Sequence, residues 1–185
     1  AHGVDHGIVV NIGQGQTIGL PVINGEVAPS IGCSSRLGSS DLTQEMVRQL
    51  RQRFDFIDSN HMTWCRDVKE NYCYVAPPDS GSLRKRLAEG DDFGVQRIEI
   101  ESPLDTHERL ELASERVLVP EMFFDPQVTR PTLPELIVHI AEQALQHGLC
   151  DADGVRRLLQ QVVLVGGAAD MRGMRPRTEH EVRAL

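Results

Sequence analysis

Apolar residues near the start of the chain predict two strands joined by a tight turn. Residues 7–10 (GIVV) and residues 17–23 (TIGLPVI) are two runs that are mostly apolar and rich in β-branched side chains. Gly13 and Gly15 lie between them. A glycine-containing segment in this position is typical of a β-hairpin turn. We therefore predict a strand, a turn and a second strand over residues 7–23.

Two central stretches have apolar residues at every third or fourth position, which predicts two amphipathic helices. The first helix begins near Asp41 or Leu42, and its apolar positions continue to Phe54. The second helix spans residues 60–75. Its predicted buried face consists of Met62, Cys65, Val68, Tyr72 and Val75.

A third helix is predicted after Thr132. This threonine suits a helix N-cap, and Glu135 completes the capping-box pattern three positions later. Gly148 suits the left-handed residue that ends many helices. Shorter helices are predicted over residues 155–159 and 177–185. The predicted apolar stripe of the third helix consists of Leu133, Leu136, Ile137, Ile140 and Leu145.

Three further apolar segments predict strands. They cover residues 95–101, 115–119 and 162–167, the last as a buried strand that ends on two glycines. Strands that alternate with helices indicate the α/β class. Residues 76–105 change to proline, glycine, serine and charge, with the breakers PPDSGS and EGDD, which predicts a long exposed connection. Its basic segment LRKR (83–86) is interpreted as solvated charge, with a contact to a partner protein as the alternative.

Composition and charge narrow the class of protein. The 185 residues suit one domain, and 40% hydrophobic with 25% charged residues is ordinary for soluble globular proteins. The formal net charge of -8 disfavours direct binding of nucleic acid. Four widely spaced cysteines indicate a reducing compartment, and no apolar run has the length of a membrane span. We therefore expect a cytoplasmic or nuclear protein with no membrane partner.

The turn between the first two predicted strands is a candidate phosphate site. It contains Gly13 and Gly15 and ends at Thr17. Backbone amides without a side chain in the way can approach a phosphate closely. The alternative is that these glycines only allow the hairpin to turn.

Two further stretches carry residues suited to a nucleoside. Arg66, Lys69 and Glu70 share one face of the second predicted helix, together with Cys73. A cationic stem can cover a base, and a carboxylate can accept hydrogen bonds from a ribose. Gly166 and Gly167 end a predicted strand, where open backbone leaves room for a base or sugar. The alternatives are a solvated helix face with ion pairs and an ordinary strand-to-helix turn.

In their order along the chain, these stretches resemble segments of the actins and actin-related proteins, and the match covers nearly all of the sequence. The strongest single segment is RDVKENYCYVA, which is similar to the helix on the adenosine side of the family's nucleotide site. The five similar segments are NIGQGQT (11–17, the second phosphate loop), DLT (41–43), RDVKENYCYVA (66–76), VPEMFFDP (119–126) and VVLVGGAADMRGM (162–174, the adenosine motif).

The resemblance implies an actin-like, ribonuclease-H-like ATPase fold, of which this chain supplies the second half only. Residues 1–37 plus 131–185 correspond to an incomplete subdomain 3, and residues 38–130 to subdomain 4. The implied cofactors are ATP or ADP with Mg²⁺ or Ca²⁺. The implied cofactor-binding residues are Gly13, Gly15 and Thr17 at the phosphates, Arg66, Lys69 and Glu70 at the adenosine, and Gly166 and Gly167 beneath the base and sugar.

Three positions depart from the family pattern at the phosphate end. Asn11 and Gln14 replace the two loop aspartates that hold waters on the cation, and Ile18 replaces a histidine near the attacking water. A carboxamide brings no charge to a metal phosphate, and an apolar side chain cannot relay a proton. These changes argue for weakened nucleotide binding, against a metal site and against hydrolysis, and they leave no residue assigned to catalysis.

We therefore expect a divergent actin-related scaffold that works through protein partners in a cytoskeletal or chromatin-associated assembly. Two alternatives stay open at this point. One is a conventional filament-forming actin-like ATPase. The other is a sugar kinase or a chaperone-type ATPase of the same fold.

Overall fold

The computed structural model describes residues 5–79, 85–87, 89–91, 94–104 and 108–185. The breakers PPDSGS and EGDD and the basic segment LRKR lie partly outside these residues. Within the described residues, seven strands form two sheets. They are β1 (Gly7–Ile12), β2 (Thr17–Ile23), β3 (Glu26–Val27), β4 (Cys33–Ser35), β5 (Ile98–Glu101), β6 (Arg109–Leu112) and β7 (Val162–Val165).

The larger sheet has the order β3-β2-β1-β7, and β4 also pairs with β2. Strands β1 and β2 form the predicted antiparallel hairpin, with Ile12 opposite Thr17. Strand β7 pairs with β1 in parallel, although the two are far apart in the sequence. Strands β5 and β6 form a separate antiparallel pair. The predicted α/β class is confirmed.

The described helices lie largely where the periodicity predicts them, with one exception. They are α1 (Ser39–Arg51), α2 (Met62–Tyr72), α3 (Glu115–Glu121), α4 (Leu133–Gln146), α5 (Ala152–Gln160) and α6 (Met174–Ala184). Helix α1 begins two residues before the predicted start, and α2 ends three residues before the predicted end. Tyr72 is exposed, so it is not part of the buried face of α2.

The strand predicted over residues 115–119 is wrong, because this segment begins α3. Tertiary contacts override its β-branched composition. Glu115 is buried, and its carboxylate accepts a hydrogen bond of 2.7 Å from Arg53. Arg116 is also buried and donates from Nε to the carbonyl oxygen of Tyr72 at 2.9 Å. When the partner of a charged side chain lies far away in the sequence, the neighbouring residues do not indicate that the side chain is buried.

The predicted third helix, α4, has the capping box that its sequence indicates. The backbone N–H of Thr132 donates to Glu135 at 2.8 Å, and the Thr132 hydroxyl accepts from the Glu135 N–H at 3.4 Å. Gly148 has a φ of +67°, as a left-handed end residue requires. The predicted stripe is wrong only at Leu145, which is exposed. Ala141 and Ala144 are buried instead.

Two more expectations need correction. Strand β7 is not buried throughout, because Val165 is exposed and only Leu164 is fully covered. The connection over residues 76–105 is not exposed throughout, because Leu87 and Val95 pack with Ala76 and Val117 in a small second core. Among the described helices, none has both the length and the apolarity needed to cross a bilayer.

A substitution at the cap of α4 tests how much this local signal contributes to the fold. We expect Thr132→Ala to lower the free energy of unfolding by about 1 kcal/mol, because it removes the acceptor for the Glu135 N–H. The matched control is Thr63→Ala at an exposed position of α2, with an expected change within about 0.5 kcal/mol. Urea denaturation followed by circular dichroism measures both. Equal losses in the two variants would contradict the assignment.

Candidate functional site

The parallel pairing of β1 with β7 brings two glycine-containing turns to one edge of the sheet. In this pairing Asn11 lies opposite Val165, so both strands end at the same level. The turn over residues 13–16 follows β1, and Gly166 and Gly167 follow β7. In α/β sheets, ligands bind beyond the carboxyl ends of parallel strands. This edge of the sheet is therefore the candidate site for a ligand.

Gly166 forms the direct contact between the two strand ends. Its φ is +96°, and a Cβ atom at this residue would lie 2.3 Å from the carbonyl oxygen of Ile12 and 2.7 Å from Oδ1 of Asn11. Only glycine meets both the backbone and the space requirement. Gly167 differs, because a Cβ atom there would meet no described atom within 4 Å. Gly166 thus allows the ends of β1 and β7 to touch, whereas Gly167 leaves open space beside its backbone.

The amino end of α1 holds the turn over residues 13–16. The N–H groups of Ser39 and Ser40 donate to the carbonyl oxygens of Gly13 and Gln14 at 2.9 and 2.8 Å. The Ser40 hydroxyl adds a third bond to Gln14 O at 2.7 Å. The turn itself is closed by a bond of 3.0 Å from the Gly13 N–H to Gln16 O. The turn is thus closed by a hydrogen bond within the hairpin and is also held by three hydrogen bonds from the amino end of α1.

Gly38 makes this close approach possible. A Cβ atom at Gly38 would lie 2.4 Å from Gln14 O and 2.5 Å from the backbone nitrogen of Gln16. The Gly38 N–H donates to the carboxylate of Asp41 at 2.8 Å, which closes the first turn of α1. Sequence analysis missed Gly38, Ser39 and Ser40. The pattern GSSD is a helix-start signal that could have shown the earlier beginning of α1.

Lys69 joins α2 to the amino end of α1. Its side chain is only 2% exposed, and Nζ lies 3.0 Å from Ser39 O, 2.6 Å from Ser39 Oγ and 3.1 Å from Thr43 Oγ1. Burial lowers the pKa of Lys69 from its usual value. The predicted polar face of α2 is therefore divided. Arg66 and Glu70 are exposed, whereas Lys69 and Cys73 are buried.

The end of α2 is joined to the segment that follows β7. The Val75 N–H donates to Arg172 O at 2.8 Å. Gly173 has a φ of +87°, and a Cβ atom there would lie 2.5 Å from Val75 O. Together with the contacts above, this joint completes a ring of contacts that runs through the 13–16 turn, α1, α2 and the 166–173 segment.

A cleft of about 460 Å³ lies between α2 and the 166–173 segment. Its walls combine two of the three predicted stretches, because Lys69 and Glu70 line it together with Gly167. Ser39, at the contact with the 13–16 turn, lines it as well. Tyr74, Asp170, Met171 and Arg172 also line it; they lie within segments that resemble the family but were not predicted as site residues. Arg116, a further lining residue, lies outside those segments.

Tyr74 and two neighbouring arginines form part of the lining of this cleft. The guanidinium carbons of Arg116 and Arg172 lie 5.3 and 6.0 Å from the ring centre of Tyr74. Both distances are within the range of cation–π contacts. Arg116 was missed because its segment is predicted as a strand. Burial raises the pKa of the neighbouring Cys73 thiol to about 12, so the thiol stays protonated at neutral pH.

Not every predicted residue faces the cleft. Thr17 is buried, and its hydroxyl donates to Leu37 O at 2.8 Å inside the protein. Arg66 is exposed on α2, 3.9 Å from the Asp67 carboxylate. Gly15 lies on the open side of its turn, since a Cβ atom there would meet no described atom within 4 Å. The turn therefore offers a ligand its backbone rather than the Thr17 hydroxyl.

The residues predicted to lie at the phosphate end do not fit a divalent cation well. Asn11 and Gln14 contribute neutral carboxamides, and the backbone carbonyl oxygen of Gln14 already accepts two hydrogen bonds from Ser40. Hard cations prefer several carboxylate oxygens. Across the described ranges, no three His, Cys, Asp or Glu side chains are grouped to hold a metal ion.

Comparison with known proteins now identifies the fold. A family model described as Actin matches residues 1–185, the whole chain. The chain belongs to the actin family. It is 27% identical over 180 residues to centractin of Schizosaccharomyces pombe. That match covers 97% of this chain and 45% of centractin, so the chain spans less than half the length of this relative.

Family membership confirms the resemblance seen in the sequence and the actin-like α/β fold. The ring of contacts agrees with the resemblance, because the 11–17 segment and the 162–174 segment meet at one edge of the sheet.

The two neighbouring glycines after β7 provide a matched test of this geometry. We expect Gly166→Ala to lower the free energy of unfolding by about 2 kcal/mol or more, because the methyl group meets Ile12 O and the φ is positive. Gly167→Ala has free space, so we expect a change of no more than about 1 kcal/mol. Thermal and urea denaturation measure both variants. A larger loss of unfolding free energy in Gly167→Ala than in Gly166→Ala would contradict the described contact between the ends of β1 and β7.

Proposed function

We propose that this chain is the second half of a divergent actin-related protein that binds a purine nucleotide weakly and acts as a scaffold. The organisation of the strands supports the division into subdomains. The larger sheet takes its strands from residues 7–35 and 162–165, within the segments proposed as subdomain 3 (1–37 plus 131–185). The separate β5–β6 pair lies within residues 38–130, proposed as subdomain 4.

The observation that carries the nucleotide proposal is the cleft between α2 and the 166–173 segment. It is lined by Glu70, by the stem of Lys69 and by the open backbone of Gly167. The braced 13–16 turn adjoins this cleft through Ser39. We propose that ATP or ADP lies with its base and ribose in the cleft and its phosphates toward Gly13 and Gly15. Gly166 supports this arrangement from beneath.

Hydrolysis is not part of the proposed function. A phosphoryl transfer site must neutralise developing charge and orient a water molecule. Asn11 and Gln14 supply no negative charge to hold Mg²⁺ or Ca²⁺, and Ile18 supplies no proton relay. Adenosine binding requires less, because a shaped cleft with a few polar groups is sufficient.

A scaffold of this kind works through protein partners, and we propose an actin-related assembly in the cytoskeleton or the nucleus. The conventional filament-forming ATPase is the second candidate, which the common family favours and the three substitutions disfavour. Membership of the actin family removes the reason to prefer a sugar kinase or a chaperone. The net charge of -8 gives no support to direct nucleic-acid binding.

An NMR titration of the isotopically labelled chain with ADP tests the binding proposal. We expect the amide chemical shifts of Gly15 and Gly167 to change. We expect weak binding, with a dissociation constant of about 1 mM or below, because one half of a nucleotide cleft presents few contacts. Gly167→Val fills open space in the cleft and should weaken binding. Ala184→Val, at an exposed position of α6, is the matched control. Shifts spread over the whole surface, or none, would contradict the proposal.

The cation dependence of the same titration tests the interpretation of Asn11 and Gln14. We expect ADP affinity to be nearly the same in magnesium and in EDTA, because the turn lacks carboxylates. The double variant Asn11→Asp with Gln14→Asp should make binding stronger in magnesium than in EDTA. A strong magnesium requirement of the unaltered chain, with phosphate release from ATP, would favour the conventional ATPase instead.

A further inference from the structure

We propose that Lys69 is a positioning residue whose ammonium group holds the 13–16 turn through α1 and does not itself contact the ligand. The ligand part of this inference rests on the proposed nucleotide function. The part that concerns the turn does not, because it can be measured in the chain without any nucleotide.

The ammonium group of Lys69 has all of its donors engaged inside the protein. A lysine ammonium carries three N–H donors and no acceptor. Three oxygens lie within 3.1 Å of Nζ, two from Ser39 and one from Thr43. The Thr43 hydroxyl in turn lies 3.2 Å from Ser39 O, so the three oxygens and Nζ form one compact group. No donor is left over for a ribose or phosphate oxygen.

The bonds continue from Ser39 to the turn. The same serine that accepts from Lys69 donates its N–H to Gly13 O, and its neighbour Ser40 makes two bonds to Gln14 O. Gly38 packs against Gln14 and Gln16 with no room for a side chain. A displacement of Ser39 would therefore move the turn, since Ser39 and Ser40 are hydrogen-bonded to it and Gly38 leaves no space between it and α1.

The position of Lys69 on α2 makes this clamp relevant to a ligand. Its neighbour Glu70 lines the cleft, and so does Gly167 across from it. Lys69 lines the same cleft, and its ammonium group faces α1. One residue thus joins the wall proposed to hold adenosine to the turn proposed to hold phosphate. Without the clamp, we expect the wall to remain and the turn to loosen.

Hydrogen exchange on the ligand-free chain tests the clamp. We expect Lys69→Met to raise the exchange rates of the Gly13, Ser39 and Ser40 amides by about tenfold or more, because the hydrogen bonds of these amides close the turn and hold it to α1. Lys85→Met, at an exposed lysine, is the matched control and should exchange like the unaltered chain. Lys69→Arg retains a buried cation and should restore most of the protection. Unchanged exchange in folded Lys69→Met would overturn the proposal.

Ser39→Ala provides the same test if Lys69→Met does not fold. It removes Ser39 Oγ, one of the three acceptors, and leaves the backbone bond to Gly13 in place. We expect a smaller rise in exchange, confined to the 13–16 turn and the first residues of α1. The same rise across the whole chain would indicate a general loss of stability and would overturn the local clamp.

A comparison of adenosine with ADP separates positioning from direct contact. We expect Lys69→Met to bind adenosine within about twofold of the unaltered chain and to lose the additional affinity that the phosphates of ADP provide. Loss of adenosine binding with the turn still protected would overturn the proposal in favour of direct contact. If the unaltered chain binds neither molecule but Lys69→Met loosens the turn, the clamp is supported and the proposed function fails.

Discussion

The parallel pairing of β1 with β7 is the constraint on which the site depends. It is a contact between residues more than 150 positions apart in the sequence, and it sets the 13–16 turn beside Gly166. A sheet pairing of this kind costs chain entropy that only the buried core around it can offset. Ile8, Val10 and Leu164 supply part of that core from the paired strands. The hydrogen bonds of Ser39, Ser40 and Lys69 connect α1 and α2 to this edge.

The ring of contacts around the cleft explains why the glycines are not equivalent. Gly38, Gly166 and Gly173 lie where backbone segments touch, and a side chain would separate them. Gly15 and Gly167 lie where a side chain would meet only open space. The first group assembles the site and the second leaves it accessible. A glycine-rich turn can therefore be structural and functional at once, so the two alternatives in the sequence do not exclude each other.

Buried charge is the second means by which distant segments are joined. Arg177 of α6 donates to Glu181 at 2.7 Å, lies 3.7 Å from Glu121 of α3 and donates to the backbone of Ala76. Its guanidinium carbon also lies 5.3 Å from the ring centre of Phe124. Like Lys69, it is a cation that is stabilised only because several segments meet around it. Arg177 thus joins α6 to α3 and to the segment that follows α2.

The sequence alone predicts the elements whose signals are local. The β1–β2 hairpin, the capping box of α4 and the left-handed Gly148 each depend on residues a few positions apart. It also indicated the family, because five short segments follow one another in order. Tertiary structure decided the rest. It made residues 115–119 a helix, buried Lys69 rather than Arg66, and turned the Thr17 hydroxyl inward. The physical reason is that a charge or hydroxyl is placed by the partner that satisfies it, and those partners lie 20 to 62 residues away.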